Sequence, residues 1–547
     1  MKYVHDIIGK TLSEMGAKVV FGVVGSGNFH FTRALAESGA EFVAARHEGG
    51  AASMADAYAR MSGEVAVLSL HQGCGFTNAI TGVAEAAKSH TPLLVLTAEA
   101  TDPRSNFFID QRAIAEGVGA ISMRVTSPRD VVREVSAAFE MCRTQRKTVV
   151  LNVPIDVQDM LWEDELPESP IVSTTVPPQP IATELDKFTD LLLRAERPVF
   201  IAGRGARSSK AKAALRELAE QTGALLATSA VAKGLFNEDP WNIDVSGGFS
   251  SPLTAELIAS ADVVVSWGCT LNMWTTRHGK LLGDGATLVQ IDLDQSALGK
   301  HRPIALGLWG DIAATAKATV PLIAGKKDGH GYRTSNVKQR IDEEGRWTQV
   351  PFIDESGDGL IDPRVLSMRI DEMLPAERVV GVDSGNFLGY PSMFMRVPDE
   401  NGFCFTQAFQ SVGLGMATAI GSAVAQPDRL PVLATGDGGF LMGISELETV
   451  VRLALPMVII VYNDSKYGAE VHHFGHDAAG IDSVVFPPND MAEIARGYGC
   501  EAITVREVDD LLPLQSWLEG SRTTPIVIDA KTVSEEAAWW LKEAFGH

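Results

Sequence analysis

Short apolar runs recur along the whole chain and alternate with segments whose apolar residues repeat every three or four positions. Runs of about four to eight apolar residues are typical of buried parallel strands, and the longer spacing is typical of helices that bury one face. The runs are VVFGVVG, FVAAR, VAVLSL, PLLVLTA and TVVLNVP in the first third, PVFIAG, ALLATSA, DVVVSWG and TLVQIDLD in the middle, and RVVGVDSG, PVLAT, MVIIVY and PIVIDAK in the last third. This alternation predicts an α/β protein with mainly parallel sheets.

Two polar stretches divide the alternation into three parts. They are EDELPESPIVSTTVPPQPIATE at residues 163–184 and GKKDGHGYRTSN at residues 325–336. A chain of 547 residues is also too long for a single hydrophobic core. We therefore expect three Rossmann-like domains, over residues 1–165, 185–325 and 355–547.

Composition narrows the class of protein. With 45% hydrophobic and 21% charged residues the chain has the composition of a globular protein, and its net charge of −22 argues against nucleic acid as a partner. It contains no apolar stretch long enough for a membrane span and no signal-peptide core at its start. The five cysteines are scattered without a Cys-x-x-Cys pair. These features predict a cytoplasmic protein that binds neither a membrane nor a nucleic acid.

The first chemical signal is a glycine-rich turn in the last third. Gly436-Asp437-Gly438-Gly439 follows the strand-like run PVLAT, and residues 445–448 read as a capping box for a helix. Glycines let backbone N–H groups approach a phosphate at the positive end of a helix. Asp437 offers a hard oxygen to Mg²⁺, and Asp464 offers a second at the end of the next strand-like run.

This arrangement resembles the motif of the thiamine diphosphate-dependent enzyme superfamily, a Gly-Asp-Gly followed by an Asn pair. The pair here is Asn463-Asp464, so one more carboxylate lies beside the diphosphate than in the motif. The resemblance implies thiamine diphosphate and Mg²⁺ as cofactors. It implies Asp437, Asp464 and the backbone carbonyl of Lys466 as metal ligands, and cofactor contacts from Gly436, Gly438, Gly439, Asp437 and Asn386.

The segment RHEGGAASMADAYAR, residues 46–60, carries the second signal. From the residues alone, Glu48 is an acidic side chain at a helix N-terminus, where the helix dipole favours it. The segment also resembles the superfamily pattern Arg-His-Glu-x-x-Ala ending in Tyr-Ala-Arg. The resemblance implies that Glu48 binds the cofactor pyrimidine N1′ and promotes the imino tautomer, whose N4′ then removes the C2 proton to form the ylid.

The superfamily also places an apolar side chain beneath the folded cofactor. Matching the segment QSVGLGMATAIG, residues 410–421, to that pattern puts this side chain at Val412 and a backbone carbonyl for N4′ at Gln410. Leu414 and Met416 are the alternative positions for this side chain. The alternative explanation of the whole segment is structural, namely that it is only a tightly packed helix start. The resemblance runs from a pyrimidine-binding domain through a middle domain to a diphosphate-binding domain. It implies a homodimer or homotetramer, because the first domain of one subunit faces the third domain of another.

Three further segments bear on the reaction. His71 follows the run VAVLSL and resembles a catalytic histidine of benzoylformate decarboxylase, and Gly25-Ser26 resembles the segment that contacts the substrate carboxylate there. Glu470 matches a glutamate of pyruvate decarboxylase. The resemblance implies catalytic roles for Ser26, His71 and Glu470, although a structural histidine and a solvated acid are the simpler explanations. It implies a substrate pocket with Gly25, Gln111, Ala469 and His473, where Gln111 falls near a glutamine of acetolactate synthases and benzaldehyde lyase.

The group that the chain resembles contains acetolactate synthase, benzoylformate decarboxylase and benzaldehyde lyase. We expect a carbon–carbon lyase that decarboxylates a 2-oxo acid without oxidation, through the ylid and an enamine. A carboligase like acetolactate synthase or benzaldehyde lyase is the alternative. An FAD-dependent oxidase is less favoured, because Gly203-Arg204-Gly205 after a strand is more often a tight turn than a nucleotide site. A non-catalytic cofactor-binding subunit is the remaining alternative.

Overall fold

The computed structural model describes residues 2–162, 177–327 and 330–544. The predicted domain end at residue 165 and most of the first polar stretch lie outside the described residues. The described chain forms three sheets of six strands each, and every strand pairing within the sheets is parallel. Helices flank each sheet. The predicted fold class, three α/β domains with parallel sheets, is therefore confirmed.

Each sheet has the strand order of a doubly wound domain. The first, ordered β2-β1-β3-β4-β6-β5, contains β1 Val19–Gly22, β2 Glu41–Ala44, β3 Ala66–Leu70, β4 Leu93–Glu99, β5 Ile121–Arg124 and β6 Thr148–Pro154. The second, ordered β12-β11-β10-β7-β8-β9, contains β7 Pro198–Ala202, β8 Leu225–Thr228, β9 Asn242–Val245, β10 Val263–Trp267, β11 Thr287–Asp292 and β12 Leu306–Trp309. The third, ordered β14-β13-β15-β16-β18-β17, contains β13 Arg378–Val382, β14 Phe403–Phe405, β15 Leu430–Gly436, β16 Val458–Asn463, β17 Glu501–Val505 and β18 Ile526–Lys531.

The helices follow the strands in the expected alternation. Those of the first third are α1 Val4–Glu14, α2 Phe29–Glu37, α3 Glu48–Ser62, α4 Cys74–Asn78, α5 Ile80–Lys88, α6 Gln111–Gly117, α7 Val131–Gln145 and α8 Ile155–Gln158. Next come α9 Ala182–Arg194, α10 Ser209–Thr222, α11 Pro252–Ala259, α12 Met273–Thr276, α13 Ile312–Ile323 and α14 Ser335–Glu344. The last third has α15 Pro363–Met373, α16 Gly389–Phe394, α17 Gly415–Ala425, α18 Asp437–Met442, α19 Ser445–Arg452, α20 Gly468–Phe474, α21 Met491–Gly497, α22 Leu512–Glu519 and α23 Trp539–Ala544. None of the helices in the described ranges is long and apolar enough to cross a membrane.

The capping box predicted at residues 445–448 is wrong. Ser445 is the first residue of α19, and the preceding residue, Ile444, provides no side-chain cap. Glu446 is turned towards the first domain instead, where its carboxylate accepts hydrogen bonds from the backbone N–H groups of Arg46 and His47. Glu448, the acid of the predicted box, pairs with Arg452 in the same helix, with 3.3 Å between Nε of Arg452 and Oε1 of Glu448.

The first and third domains of the chain share one hydrophobic core. In α3, residues Ala51, Ala52 and Ala55 pack in the same cluster as Ala417 and Ala419 of α17. The two helix backbones approach closely because the side chains between them are small. A Cβ placed on Gly421 would lie 2.1 Å from the carbonyl oxygen of Met54, so this crossing accepts no larger residue. The two domains that carry the candidate site residues are thereby joined directly.

Candidate active site

The glycine-rich turn of the third domain lines a cavity of about 240 Å³ at the carboxyl ends of the parallel strands. Helix α18 begins at Asp437, as the sequence pattern predicts. The predicted residues that line the cavity are Gly436, Asp437, Gly438, Gly439, Asn386, Val412, Asp464, Lys466, Ala469 and Glu470. Gln410 and His473 were also predicted but are not among its lining residues.

The glycines of this cavity stand where side chains do not fit. A Cβ on Gly438 would lie 2.6 Å from Cε1 of Tyr467, and one on Gly439 would lie 2.3 Å from Oδ2 of Asp383. A Cβ on Gly468 would lie 2.6 Å from Oδ2 of Asp464. Glycine is required at these positions because neighbouring side chains pack against the backbone. Gly438 and Gly439 lie in the first turn of α18, where backbone N–H groups would meet a diphosphate.

Two carboxylates, those of Asp437 and Asp464, lie close enough in the cavity for their charges to repel each other. Burial and the neighbouring Asp464 raise the pKa of Asp437 to about 7, and burial raises the pKa of Asp464 against the opposing charge of Lys466. Nδ2 of Asn386 lies 3.5 Å from Oδ2 of Asp464, while the buried Oδ1 of Asn386 has no hydrogen-bond partner in the described structure. A buried amide oxygen without a partner and two neighbouring carboxylates suit a cation.

These residues fit Mg²⁺ bound together with a diphosphate. Mg²⁺ in proteins is commonly held by one or two carboxylates, with the remaining oxygens coming from phosphates and water. The described residues contain no cluster of three or more His, Cys, Asp or Glu side chains that would hold a metal ion by themselves. Asp437 and Asp464 would therefore hold the ion with help from the Lys466 carbonyl and the cofactor.

The loop before α17 presents Val412 to the cavity. Val412 is 37% exposed and lines the cavity, whereas Leu414 and Met416, the two alternatives, are 9% and 2% exposed. The N–H of Gly413 donates to both carboxylate oxygens of Asp383, at 3.0 and 3.2 Å. Burial raises the pKa of Asp383 to about 6. Of the three candidate positions, only Val412 lines the cavity.

The first domain holds a second group of predicted residues, around Glu48. Helix α3 begins at Glu48, and Nδ1 of His47 accepts the N–H of Gly49 at 3.0 Å. Nδ2 of Asn78 donates to Oε2 of Glu48 at 3.0 Å. Asn78 ends α4, and no motif singles it out in the sequence. It fixes the Glu48 carboxylate over the loop that follows β3.

His71 lies beside Ser26 and Gly25, as the sequence predicts. Its Nδ1 is 2.8 Å from the carbonyl oxygen of Gln72, which can only accept, so Nδ1 carries the proton and Nε2 is the acceptor in the neutral ring. Oγ of Ser26 lies 3.4 Å from that Nε2. Phe107, in a loop that the sequence predicts to shape the pocket, packs edge-on against the His71 ring, with 5.0 Å between centroids. The imidazole is thus held with Nε2 towards Ser26.

Gln111 supports the His71 loop from behind. It is 2% exposed, its Oε1 accepts the N–H of Gly73 at 3.0 Å, and its Nε2 donates to the Ala98 carbonyl and to Oδ1 of Asn152. These partners all lie in the first domain. The side chain that was predicted to line a substrate pocket is occupied with holding the loop.

The site residues of one chain fall into two separate groups. The third-domain cavity is lined by none of Gly25, Ser26, Glu48, His71 and Gln111. The first-domain group is instead gathered around Glu48 and His71. The predicted site residues of one chain therefore form two groups, named here the first-domain and the third-domain half-site.

The middle-domain turn Gly203-Arg204-Gly205 is explained by backbone packing. A Cβ on Gly203 would lie 2.3 Å from the Gly268 carbonyl oxygen, and one on Gly205 would lie 2.8 Å from the Gly268 Cα. Arg204 reaches into the first domain, where its Nη1 donates to the Ser89 carbonyl at 2.6 Å. The glycines are needed for the close approach of two loops, and a nucleotide is not required to account for them.

Fold and cavity together define a three-domain α/β protein with a glycine-lined cavity at the carboxyl ends of its third sheet. Three models of thiamine pyrophosphate (thiamine diphosphate) enzymes match the chain: the N-terminal TPP-binding domain at residues 2–152, the central domain at 185–319 and the C-terminal TPP-binding domain at 383–530. Together they cover most of its length. The chain belongs to the thiamine pyrophosphate enzyme family and is a thiamine diphosphate-dependent enzyme.

Curated proteins match this chain over nearly its whole length, but their names describe different reactions. Sulfoacetaldehyde acetyltransferase of Castellaniella defragrans is 28% identical over 95% of this chain and 92% of its own. A probable acetolactate synthase large subunit of Methanocaldococcus jannaschii is 26% identical, with 93% and 88% covered, and a probable 2-ketoarginine decarboxylase of Pseudomonas aeruginosa is 28% identical, with 92% and 89% covered. The fold matches the thiamine diphosphate-dependent 4-hydroxybenzoylformate decarboxylase of Rhodococcus jostii RHA1, with a TM-score of 0.80, 21% identity and coverage of 98% and 100%.

Proposed function

We propose that this enzyme decarboxylates a 2-oxo acid without oxidation, using thiamine diphosphate and Mg²⁺. The observation that carries the proposal is the pairing of His71 and Ser26 in a first-domain half-site that also holds Glu48. The bound cofactor supplies an electron sink for breaking the bond beside a carbonyl. The substrate loses CO₂ and takes up a proton at the former carbonyl carbon, which yields an aldehyde.

The first-domain residues have distinct tasks in this proposal. The Glu48 carboxylate, oriented by Asn78, would accept a hydrogen bond from the pyrimidine ring. The Ser26 hydroxyl would donate to the substrate carboxylate. His71 would exchange a proton with the carbonyl oxygen of the substrate through Nε2, the ring nitrogen that carries no proton in the neutral ring.

Glu470 is the proposed acid of the third-domain half-site. It lines the cavity six residues beyond Asp464, in the first turn of α20. A carboxyl group at this position would deliver the proton that replaces CO₂. Ala469 beside it, and His473 further along α20, would shape the pocket around the substrate.

The test uses purified protein with thiamine diphosphate, Mg²⁺ and a panel of aliphatic and aromatic 2-oxo acids. CO₂ release with an equal yield of aldehyde is expected for at least one acid. Glu470→Gln should lose CO₂ release while binding the cofactor as the wild type does, whereas Glu493→Gln, on the exposed face of α21, should keep full turnover. Cofactor binding without CO₂ release from any acid would refute the proposed reaction.

Transfer of the acyl group to a second acceptor is the alternative, because the relatives include an acetyltransferase and an acetolactate synthase. The same residues then serve a carboligase, in which a carbonyl compound takes the place of the proton. The panel separates the two reactions, since carboligation yields a 2-hydroxy ketone where decarboxylation yields an aldehyde. A 2-hydroxy ketone as the main product from a single 2-oxo acid would favour the carboligase.

We also propose that the active site forms between two copies of the chain in a homodimer or homotetramer. The support is the separation of the half-sites, since the cavity with Asp437 is not lined by Glu48. The Glu48→Ala and Asp437→Ala variants are each expected to be inactive when produced alone. The test is to co-express the two variants. Random pairing leaves one intact site in half of the dimers, so the mixture should regain roughly a quarter of wild-type turnover. A mixture that stays inactive would contradict a shared site.

A further inference from the structure

A buried glutamate of the third domain holds the segment that leads to Glu48. Glu446, in α19, is 2% exposed, and its Oε1 accepts the N–H of Arg46 at 3.1 Å and that of His47 at 3.0 Å. The side chains of Arg46 and His47 are themselves exposed. A buried carboxylate thus binds the backbone of two surface residues directly before Glu48. Hydrogen bonds from N–H groups to an ionised carboxylate are among the stronger ones in proteins.

A buried glutamate of the first domain does the same for the third domain. Glu85, in α5, is 1% exposed, and its carboxylate accepts the N–H groups of Ala408 at 3.1 Å and Phe409 at 2.6 Å. Ala408 and Phe409 are exposed and lie in the loop that continues to Val412. Each domain therefore holds the backbone of a site segment that belongs to the other.

Arg60 keeps the Glu85 carboxylate ionised and adds a second attachment of the same loop. Its Nη2 lies 2.7 Å from Oε1 of Glu85, and its Nη1 donates to the Phe405 carbonyl at 3.0 Å. Burial would raise the pKa of Glu85, but the Arg60 charge and the amide donors hold it below its ordinary value. The loop is tied to the first domain at Phe405 and again at residues 408–409.

We propose that Glu85 and Glu446 are reciprocal positioning residues, of which Glu85 sets the place of the Val412 loop and Glu446 sets the place of Glu48. Neither carboxylate lines the third-domain cavity. The inference rests on the proposed function in one respect, because the roles of Val412 and Glu48 towards the cofactor belong to that function. Glu85 and Glu446 act through the backbone segments that they hold, without touching the cofactor.

Amide hydrogen exchange of the full-length protein without cofactor tests the two attachments. The amides of residues 46, 47, 408 and 409 should be protected in the wild type. Glu85→Gln replaces the charged acceptor by a neutral one and should speed exchange at residues 408–409 about tenfold, with residues 46–47 unchanged. Glu446→Gln should produce the reverse pattern. A structural effect on the whole fold would speed exchange in both segments.

Cofactor titration supplies a second readout. Glu85→Gln should weaken thiamine diphosphate binding about tenfold, because the loop beneath the cofactor is released. Glu446→Gln should keep the affinity and lower the turnover, since it displaces Glu48 and leaves the diphosphate site intact. The control is Glu134→Gln, because the buried Glu134 accepts the N–H of Thr126 at 2.8 Å within the first domain. It should change neither exchange segment nor the affinity.

The outcomes separate this inference from the proposed function. A wild type that binds no thiamine diphosphate would defeat the function, while the exchange measurements would still decide the attachments. Wild-type exchange rates at residues 408–409 in Glu85→Gln would overturn the inference. Should that variant fail to fold, the wild type decides, since unprotected amides at the four positions would overturn the inference and protected ones would support it.

Discussion

Gly50 lies so close to Glu446 that a Cβ at this position would be 2.3 Å from Oε1 of the glutamate. The missing side chain makes room for the carboxylate that binds the backbone before Glu48. Gly50→Ala should therefore displace Glu446 and lower the free energy of unfolding by about 1–3 kcal/mol. Denaturant unfolding measures this effect. Gly117→Ala is the control, because a Cβ there meets nothing within 4 Å, and equal losses in both variants would contradict the explanation.

The proposed role of His71 in proton transfer can be tested separately from cofactor binding. His71→Asn removes Nε2 and with it the proton acceptor that faces Ser26. We expect turnover of the active 2-oxo acid to fall by about 10²- to 10⁴-fold. The affinity for thiamine diphosphate should stay unchanged, because His71 does not line the third-domain cavity. Steady-state kinetics and calorimetric titration check the two halves of this expectation, and a parallel loss of affinity would count against it.

Asp383 should make the stability of the folded chain depend on pH. Burial raises the pKa of Asp383 from 3.8 to about 6. Between these two pH values the folded protein therefore holds the proton more tightly than the unfolded chain. Stability is then lost as the pH rises, by about 2 kcal/mol between pH 4 and pH 7. The measurement is the difference in unfolding free energy between the wild type and Asp383→Asn across this range. A difference that does not change with pH would exclude the effect.

Gln111 should prove to be a support for the His71 loop. Gln111→Leu removes the acceptor of the Gly73 N–H and the donor to Oδ1 of Asn152, and it takes one of two donors from the Ala98 carbonyl. Buried polar groups left unpaired cost about 1–3 kcal/mol each, so thermal unfolding should shift down clearly. Turnover should fall as well, because Gly73 follows His71 by two residues. Full stability with altered substrate preference would instead favour the pocket role implied by the sequence.

The sequence predicts the sheet centres well and the sheet edges poorly. All thirteen of the apolar runs correspond to strands in the structure, but β5, β9, β12, β14 and β17 were not predicted. Each of these five lies at the edge of its sheet. Most of them are covered only in part, so they lack the continuous apolar run of a central strand, and β14 has only three residues. An edge strand is defined by its neighbour more than by its own composition.

The candidate site shows a similar division. Asp437 and Glu48 each stand in a compact sequence motif, and the resemblance of these motifs to the family patterns singles the two residues out. Glu446 and Arg46 are 400 positions apart, and their contact exists only after the two domains have packed. The local sequence assigns Glu446 no partner, because the acid of the predicted capping box is Glu448. Residues that hold a site in place from another domain leave no such pattern.

The small residues between α3 and α17 also bear on the order in which the chain folds. The last strand of the first sheet ends at Pro154, whereas α17 begins at Gly415. At about 5–20 residues per second, the ribosome needs roughly 13–50 s to make the intervening chain. During this interval α3 waits without its partner. The α3 side that meets the third domain includes Met61, which packs in one cluster with Val379. The unfinished protein therefore keeps an apolar surface on α3 until the third domain has been made.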